Sequence, residues 1–256
     1  MILDADCHIS SQKFDSSALL AAELVDEMDR NGVDKALIWL RPTYRKEIDA
    51  ENRAVYEAVR QYPERFLGFG WVNPRLGKEH ALRTLHTCLA EYDLRGVKFN
   101  GAQDDYVIDD STVLELIAAA VAYGKPVAFH IGADFYENTH PYRLGNIAAQ
   151  FPQAQFLMVH MGGAGTPSLH RAAIETAQKY PNITLIASAI NEGPILSAIR
   201  SLGAQRVSFG SDMPFGMQHV RLAMLQALLR DLPPADRDAV LGGNMARLLL
   251  RPRNDP

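Results

Sequence analysis

The sequence predicts an α/β fold, a closed (β/α)8 barrel, and three observations lead to it. Short apolar runs rich in β-branched residues alternate with longer amphipathic stretches along the whole chain, which implies parallel strands joined by helices. The strand-then-helix unit recurs eight times at a spacing of about thirty residues, the size of one βα unit. The length, 256 residues, sits near the ~250 typical of such a barrel. A doubly wound open sheet would need a glycine-rich phosphate turn after an early strand, and the sequence has none.

The first strand is Ile2-Leu3-Asp4-Ala5-Asp6-Cys7-His8. Its alternation puts Leu3, Ala5 and Cys7 on one face and Asp4, Asp6 and His8 on the other. A helix follows over about 17–31, with Leu19, Leu20, Leu24 and Met28 as its apolar stripe and Asn31-Gly32 as its stop. Strands are expected at Lys35–Leu40, Phe66–Val72, Gly96–Asn100, Pro126–His130, Phe156–His160, Ile183–Ala187 and Val207–Phe209. The helices between them are Glu51–Tyr62, Lys78–Tyr92, Ser111–Tyr123, Tyr142–Gln150, Ser168–Tyr180 and Pro194–Leu202, and Val220–Leu229 follows the last strand. A C-terminal helical extension, Ala235–Leu250, is broken at Gly242-Gly243. The connectors are too short to hide a second domain, so residues 1–256 are expected to form one.

Composition narrows the functional classes. The chain is 47% hydrophobic and 22% charged, ordinary for a globular protein, and no apolar run approaches the ~20 residues a membrane span requires. A net charge of −4 with no basic stripe excludes nucleic acid and anionic membranes as expected partners. The N-terminus carries acids and no basic region, so no secretory signal is expected and a cytoplasmic location is. The two cysteines, Cys7 and Cys88, read as reduced, buried thiols.

The chemistry gathers at strand ends. Asp6 and His8 belong to the first strand, His130 closes the fifth, His160 closes the sixth and Asp212 follows the eighth. In a parallel barrel all C-terminal strand ends meet at one rim, where active sites of this architecture lie. Five oxygen and nitrogen donors then converge, and buried ionisable groups of this kind are costly unless a cation or polar partner meets them. A lone strand-end histidine is commonly a hydrogen-bonded core residue, but this placement of all of them at one rim favours metal binding or catalysis. His80, His86 and His170 fall on helices and read as solvated surface. His219 reads as a helix-terminus feature, and His140 as a loop residue near the rim.

At this point the chain resembles the amidohydrolase superfamily of TIM-barrel enzymes, in the amidohydrolase-related group to which aminocarboxymuconate-semialdehyde decarboxylase belongs. The matching stretches are Asp4-Ala5-Asp6-Cys7-His8, Gly96-Val97-Lys98-Phe99, Phe129-His130-Ile131-Gly132, Val159-His160-Met161-Gly162-Gly163, Gly210-Ser211-Asp212-Met213-Pro214-Phe215 and Leu241-Gly242-Gly243-Asn244-Met245-Ala246-Arg247-Leu248. The resemblance implies one divalent metal ion held by Asp6, His8, His130 and Asp212, with His160 facing substrate or the reactive water. Asp6 stands where the group usually has a histidine, although some of its decarboxylases place a carboxylate there. A second register, with His8 as first ligand and Ser10 as second, is disfavoured because a serine hydroxyl is a poor ligand. Lys98 raises the binuclear alternative of a carboxylated lysine, but its Gly-Val-Lys-Phe context is that of the one-metal members. Zn2+ is the expected ion, with Mn2+ and Mg2+ as alternatives.

The expected reaction is hydrolysis of a small ester, lactone or amide by a metal-activated water, with Asp212 as general base and His160 polarising the carbonyl. The alternative is non-oxidative decarboxylation, in which Asp212 protonates the carbon that loses CO2. A third reading is a non-catalytic binder with a decayed site. Candidate substrate contacts are Lys98, Asn100, Arg41, Tyr44, Trp71, Tyr136 and Arg143, with Asn73 beside them, for a small-molecule substrate bearing a carboxylate. A homodimer is compatible with the group, and the sequence carries no interface signature.

Overall fold

The computed structural model describes residues 1–42, 47–132, 135–163 and 169–250. Eight parallel strands follow one another around a barrel in sequence order: β1 (Leu3–Ile9), β2 (Lys35–Leu40), β3 (Phe66–Trp71), β4 (Gly96–Phe99), β5 (Val127–His130), β6 (Phe156–Val159), β7 (Ile183–Ala187) and β8 (Val207–Phe209). The connecting helices are α1 (Ala21–Asn31), α2 (Ile48–Gln61), α3 (Lys78–His86), α4 (Ser111–Val121), α5 (Pro141–Gln150), α6 (His170–Lys179) and α7 (Glu192–Leu202). After β8 come α8 (Gln218–Leu228), α9 (Pro234–Asp238) and α10 (Asn244–Leu249). This is the expected (β/α)8 barrel with its C-terminal helical extension. Among the described residues no helix is long and apolar enough to cross a membrane.

The ring closes between β8 and β1 through main-chain bonds just beyond β8. Asp212 N–H donates to the Asp6 carbonyl at 2.9 Å, and His8 N–H donates to the Met213 carbonyl at 2.7 Å. The interior is filled by Leu3, Ala5, Leu37, Trp39, Leu67, Phe69, Ala128, Leu157, Val159 and Ile186, with Met245 and Leu249 of α10 closing one end. The larger apolar layer lies between strands and helices and includes Cys7, Ile9, Val97, Phe99, Phe129, Phe156, Leu185 and Phe209. Buried side chains of this size are worth roughly 1.5–3 kcal/mol each.

The faces of β1 depart from the expected alternation. Asp4 pairs with Ala36 but Cys7 with Ile38, so three steps along β1 span two along β2, and the strand carries one extra residue. Such a bulge reverses the parity beyond it. Leu3 and Ala5 face the interior, whereas Cys7 packs in the outer layer. Asp4 therefore does not share a face with Asp6 and His8. It accepts hydrogen bonds from Ser211 N–H (2.8 Å), Gln218 Nε2 of α8 (2.9 Å) and Asp6 N–H (3.2 Å), and braces the β8 loop from outside.

The cysteines are packing residues. Both are free and buried, and burial pushes the Cys88 thiol up to about 12. Cys88 lies in a single wide turn, Thr87–Glu91, that continues α3, and a Cβ on Gly70 would meet the Cys88 Cβ at 2.6 Å. The glycine lets helix and strand approach there.

Candidate active site

The strand ends bring the predicted donors together. Asp6 is fully buried, and its Oδ1 lies 3.5 Å from His8 Nε2, which is also 3.5 Å from Asp212 Oδ1. His160 Nδ1 lies 3.6 Å from Asp6 Oδ2, and one donor atom each from Asp6, His160 and Asp212 fall within 4.8 Å of one another. The His130 ring meets the His160 ring edge to face at 4.6 Å. His160 thus stands among the donors as closely as His8 does, although the family resemblance placed it on the substrate side.

Backbone geometry puts two of these groups in place. His160 (φ +69°), Met161 (+53°) and Asp212 (+62°) are all left-handed, which costs a non-glycine residue on the order of 1–3 kcal/mol. His160 therefore leaves β6 instead of extending it and begins a tight turn, His160–Gly162. Its Nδ1 meets the Ser188 hydroxyl at 2.9 Å, so the loop after β7 also contributes to the site.

Electrostatics favour neutral imidazoles beside carboxyls that bind their protons more tightly than usual. Burial lowers His8 to about 3 and His160 to about 4, and lowers His130 strongly. Burial raises Asp6 to about 6 against the pull of Lys98, with the Asp212 charge adding to the rise; burial raises Asp212 as well. Lys98 is fully buried, and burial lowers it to about 8. Its Nζ lies 3.9 Å from Asp6 Oδ1 and 3.6 Å from the centre of the Trp39 ring.

A divalent cation fits this donor set. Both Asp6 oxygens and His130 Nε2 are buried without a well-formed hydrogen bond among the described residues, and orphaned acceptors of this kind are rare and costly. Neutral imidazole nitrogen and carboxylate oxygen suit first-row divalent ions. Two carboxylates and one ammonium sum to −1, so an added 2+ ion leaves the pocket at +1, suited to an anionic ligand.

The sequence pattern of the amidohydrolase family matches residues 6–251. The chain belongs to that family. A curated relative of this amidohydrolase, the 2-amino-3-carboxymuconate-6-semialdehyde decarboxylase of Dictyostelium discoideum, is 20% identical over 88% of the chain and 75% of its own length. Among solved structures, a dihydroxybenzoic acid decarboxylase from a Polaromonas species, with bound manganese and the inhibitor 2-nitroresorcinol, superposes with a TM-score of 0.77. It is 18% identical and is matched over 99% of this chain and 98% of its own. The 5-carboxyvanillate decarboxylase of Novosphingobium aromaticivorans, complexed with manganese and 4-hydroxy-3-methoxy-5-nitrobenzoic acid, gives 0.78 at 16% identity, over 98% and 96% of the two chains. These relatives correct the expected reaction. They are named as decarboxylases, and the expectation of ester, lactone or amide hydrolysis does not stand.

The amidohydrolase's other predicted contacts divide. Trp71 joins the site: its ring lies 5.3 Å from Lys98 Nζ and 6.5 Å from the His8 ring, and its Nε1–H donates to Asp104 Oδ2 at 2.8 Å. Burial raises Asp104 to about 7 against that bond. Arg41 lies at the end of β2, close enough for its charge to lower His8. It bonds Asp15 at 3.1 Å and Ser17 at 2.7 Å through Nη2, while its buried Nε has no partner among the described residues. Asn100 is occupied with Gln103, through both its amide nitrogen and its oxygen. Arg143 is locked to Asp109 and the Glu137 carbonyl at 2.7 Å each, which makes it a loop brace. Tyr136 bonds its neighbour Glu137, whose charge raises the phenol. Asn73 caps the short turn Pro74–Leu76 through Arg75 N–H, and His140 caps α5 by accepting from Tyr142 N–H. Tyr44 lies outside the described residues.

Sequence reasoning missed Trp39, Ser188 and Phe215. Trp39 Nε1–H donates to His8 Nε2 at 3.1 Å, and the half-exposed Phe215 ring sits edge-on to His8 at 5.3 Å. Ser188 and Phe215 each follow a strand end, so the strand-end rule that singled out the donors also reaches them. The Trp39 contact crosses between strands and leaves no local signal.

Proposed function

We propose that this chain is a metal-dependent, non-oxidative decarboxylase of a small aromatic or otherwise unsaturated carboxylic acid. The observation that carries the reading is the placement of Asp212, a carboxyl at the rim that lies 3.5 Å from His8 Nε2, is grouped with Asp6 and His160, and feels the charge of the buried Lys98 ammonium. The names of its relatives support the same class. The whole chain acts as one domain.

Asp6, His8, His130 and Asp212 would hold the ion, with His160 beside them. When bound, the ion supplies positive charge that orients the substrate's oxygens and stabilises electron density as it shifts. Mn2+, present in the two solved decarboxylases, becomes the first choice over Zn2+. Lys98 attracts the substrate carboxylate from the floor of the pocket, and Trp39, Trp71 and Phe215 offer apolar walls to a flat ring. Asp212 would meet the ion as a carboxylate, take up a proton as the substrate enters, and deliver that proton to the carbon bearing the carboxylate. The bond from that carbon to the carboxylate breaks, its electron pair returns to the carbon framework and CO2 leaves. The sum is carboxylate plus proton giving R–H plus CO2, and the proton that Asp212 takes up comes from water.

The deciding experiment incubates the Mn2+-loaded protein with hydroxybenzoates and with lactones, following CO2 and acid release separately. CO2 release from a hydroxybenzoate, abolished by chelator and restored by Mn2+, is expected; acid release alone would end the proposal. Metal retention should also depend on pH with a definite sign. Binding requires Asp6 and Asp212 deprotonated, and both are raised, Asp6 to about 6, whereas His8 and His160 stay neutral down to about 3 and 4. Ion loaded at neutral pH is expected to be held at pH 7 and lost as pH falls through 6, read by elemental analysis after gel filtration at each pH.

A further inference from the structure

Two internal groups stand against the ligands of β1. His8 Nδ1 lies 2.9 Å from the Leu40 carbonyl, an acceptor, so the proton of the neutral ring is on Nδ1 and Nε2 carries the lone pair. That lone pair receives the Trp39 indole N–H at 3.1 Å. Lys98 Nζ, fully buried and without a hydrogen-bond partner among the described residues, lies 3.9 Å from Asp6 Oδ1 and 3.6 Å from the centre of the same Trp39 ring. One indole thus fixes both groups, its N–H on His8 and its face under the ammonium.

An ion bound by Asp6 and His8 needs the lone pair that Trp39 holds and meets the positive charge that Lys98 carries. We infer that Trp39 and Lys98 compete with a divalent cation for the β1 ligand pair, and that an anionic substrate relieves this competition by drawing the Lys98 ammonium onto its own carboxylate. Three features support this. Buried like charges a few ångströms apart repel strongly. Among the described residues the ammonium has three donors on a flexible stem but no hydrogen-bond partner, only aromatic faces and the more distant carboxylates of Asp6 and Asp212. An incoming carboxylate supplies its first true hydrogen bond and cancels its charge. Metal and anion then bind with positive coupling, which is reciprocal by linkage. The inference rests on Asp6 and His8 being metal ligands, and it is independent of whether the reaction is decarboxylation.

The test is calorimetric titration of Mn2+ into the chelator-treated full chain, with and without benzoate, which lacks the oxygen substituents of the solved enzymes' ligands. In the wild type, saturating benzoate is expected to tighten Mn2+ binding by about tenfold. Lys98→Met fills the same volume without charge; it should bind Mn2+ about tenfold more tightly in the absence of benzoate and lose the benzoate effect. Trp39→Phe frees the His8 lone pair but keeps the ammonium, so it should bind Mn2+ a few-fold more tightly and retain the benzoate effect. It also keeps the question answerable if Lys98→Met fails to fold. Unchanged or weaker Mn2+ binding in the folded variants, or no benzoate effect in the wild type, overturns the competition while leaving the metal site in place. A wild-type chain that binds no Mn2+ under either condition overturns the metal-site reading together with it.

Discussion

Replacing Asp212 with asparagine is expected to lower CO2 release by at least about a thousandfold while leaving the fold intact. The side chain combines two roles in the proposed reaction: it supplies the proton that replaces the carboxylate, and it is one of the donors grouped with Asp6 and His160. An amide cannot supply the proton, and its uncharged oxygen is a weaker donor to a cation than a carboxylate. Asparagine nevertheless suits the position, because it tolerates the left-handed backbone (φ +62°) better than other residues. The main-chain bond from residue 212 to the Asp6 carbonyl does not involve the side chain. Single-turnover CO2 release and a thermal melt on the same preparation check both halves. Retention of a tenth or more of the wild-type rate would remove Asp212 from the role of acid.

Gly132→Ala is expected to cost the protein more than about 3 kcal/mol, one of the largest losses available from adding a single methyl. Gly132 has φ +78°, where any side chain is strained, and a Cβ there would run into the backbone of Gly162, whose carbonyl carbon would be 2.6 Å away. Backbone on backbone has no flexible end that can yield. The loop after β5 and the turn after β6 would have to separate; the loop begins just after His130, and the turn carries His160. Gly124→Ala is the control: φ is +66° but a Cβ there meets nothing within 4 Å, so only the backbone strain of about 1 kcal/mol is expected. Urea unfolding of the two variants compares them directly. Equal midpoints would show that the two loops do not depend on this close approach.

The barrel was legible because its signal is repeated: each strand is short, apolar and followed by an amphipathic helix, and eight repetitions leave few other architectures. The donors were legible for a related reason, since the end of a parallel strand fixes which mouth a residue occupies. The face a residue takes was less secure. One extra residue in β1 moved Cys7 outward and separated Asp4 from Asp6 and His8, and nothing in the heptapeptide marks a bulge. Arg143 and Asn100 lie near the rim in sequence, yet their hydrogen bonds are taken by Asp109 and Gln103. Proximity to a site can be read from topology, but the partner a polar group chooses depends on residues distant in the chain. Reaction type was the least legible property, because the same donor set serves a bound water or a departing carboxylate equally well.

The seam that closes the barrel has a consequence for assembly. Asp212 and Met213 join the last strand to the first on either side of Cys7, and the same few residues complete the donor set. During synthesis the N-terminal donors are made some two hundred residues before Asp212, so the ring and the donor cluster both wait for the same late segment. A nascent or truncated chain ending short of Asp212 would lack both the closed seam and the complete donor set.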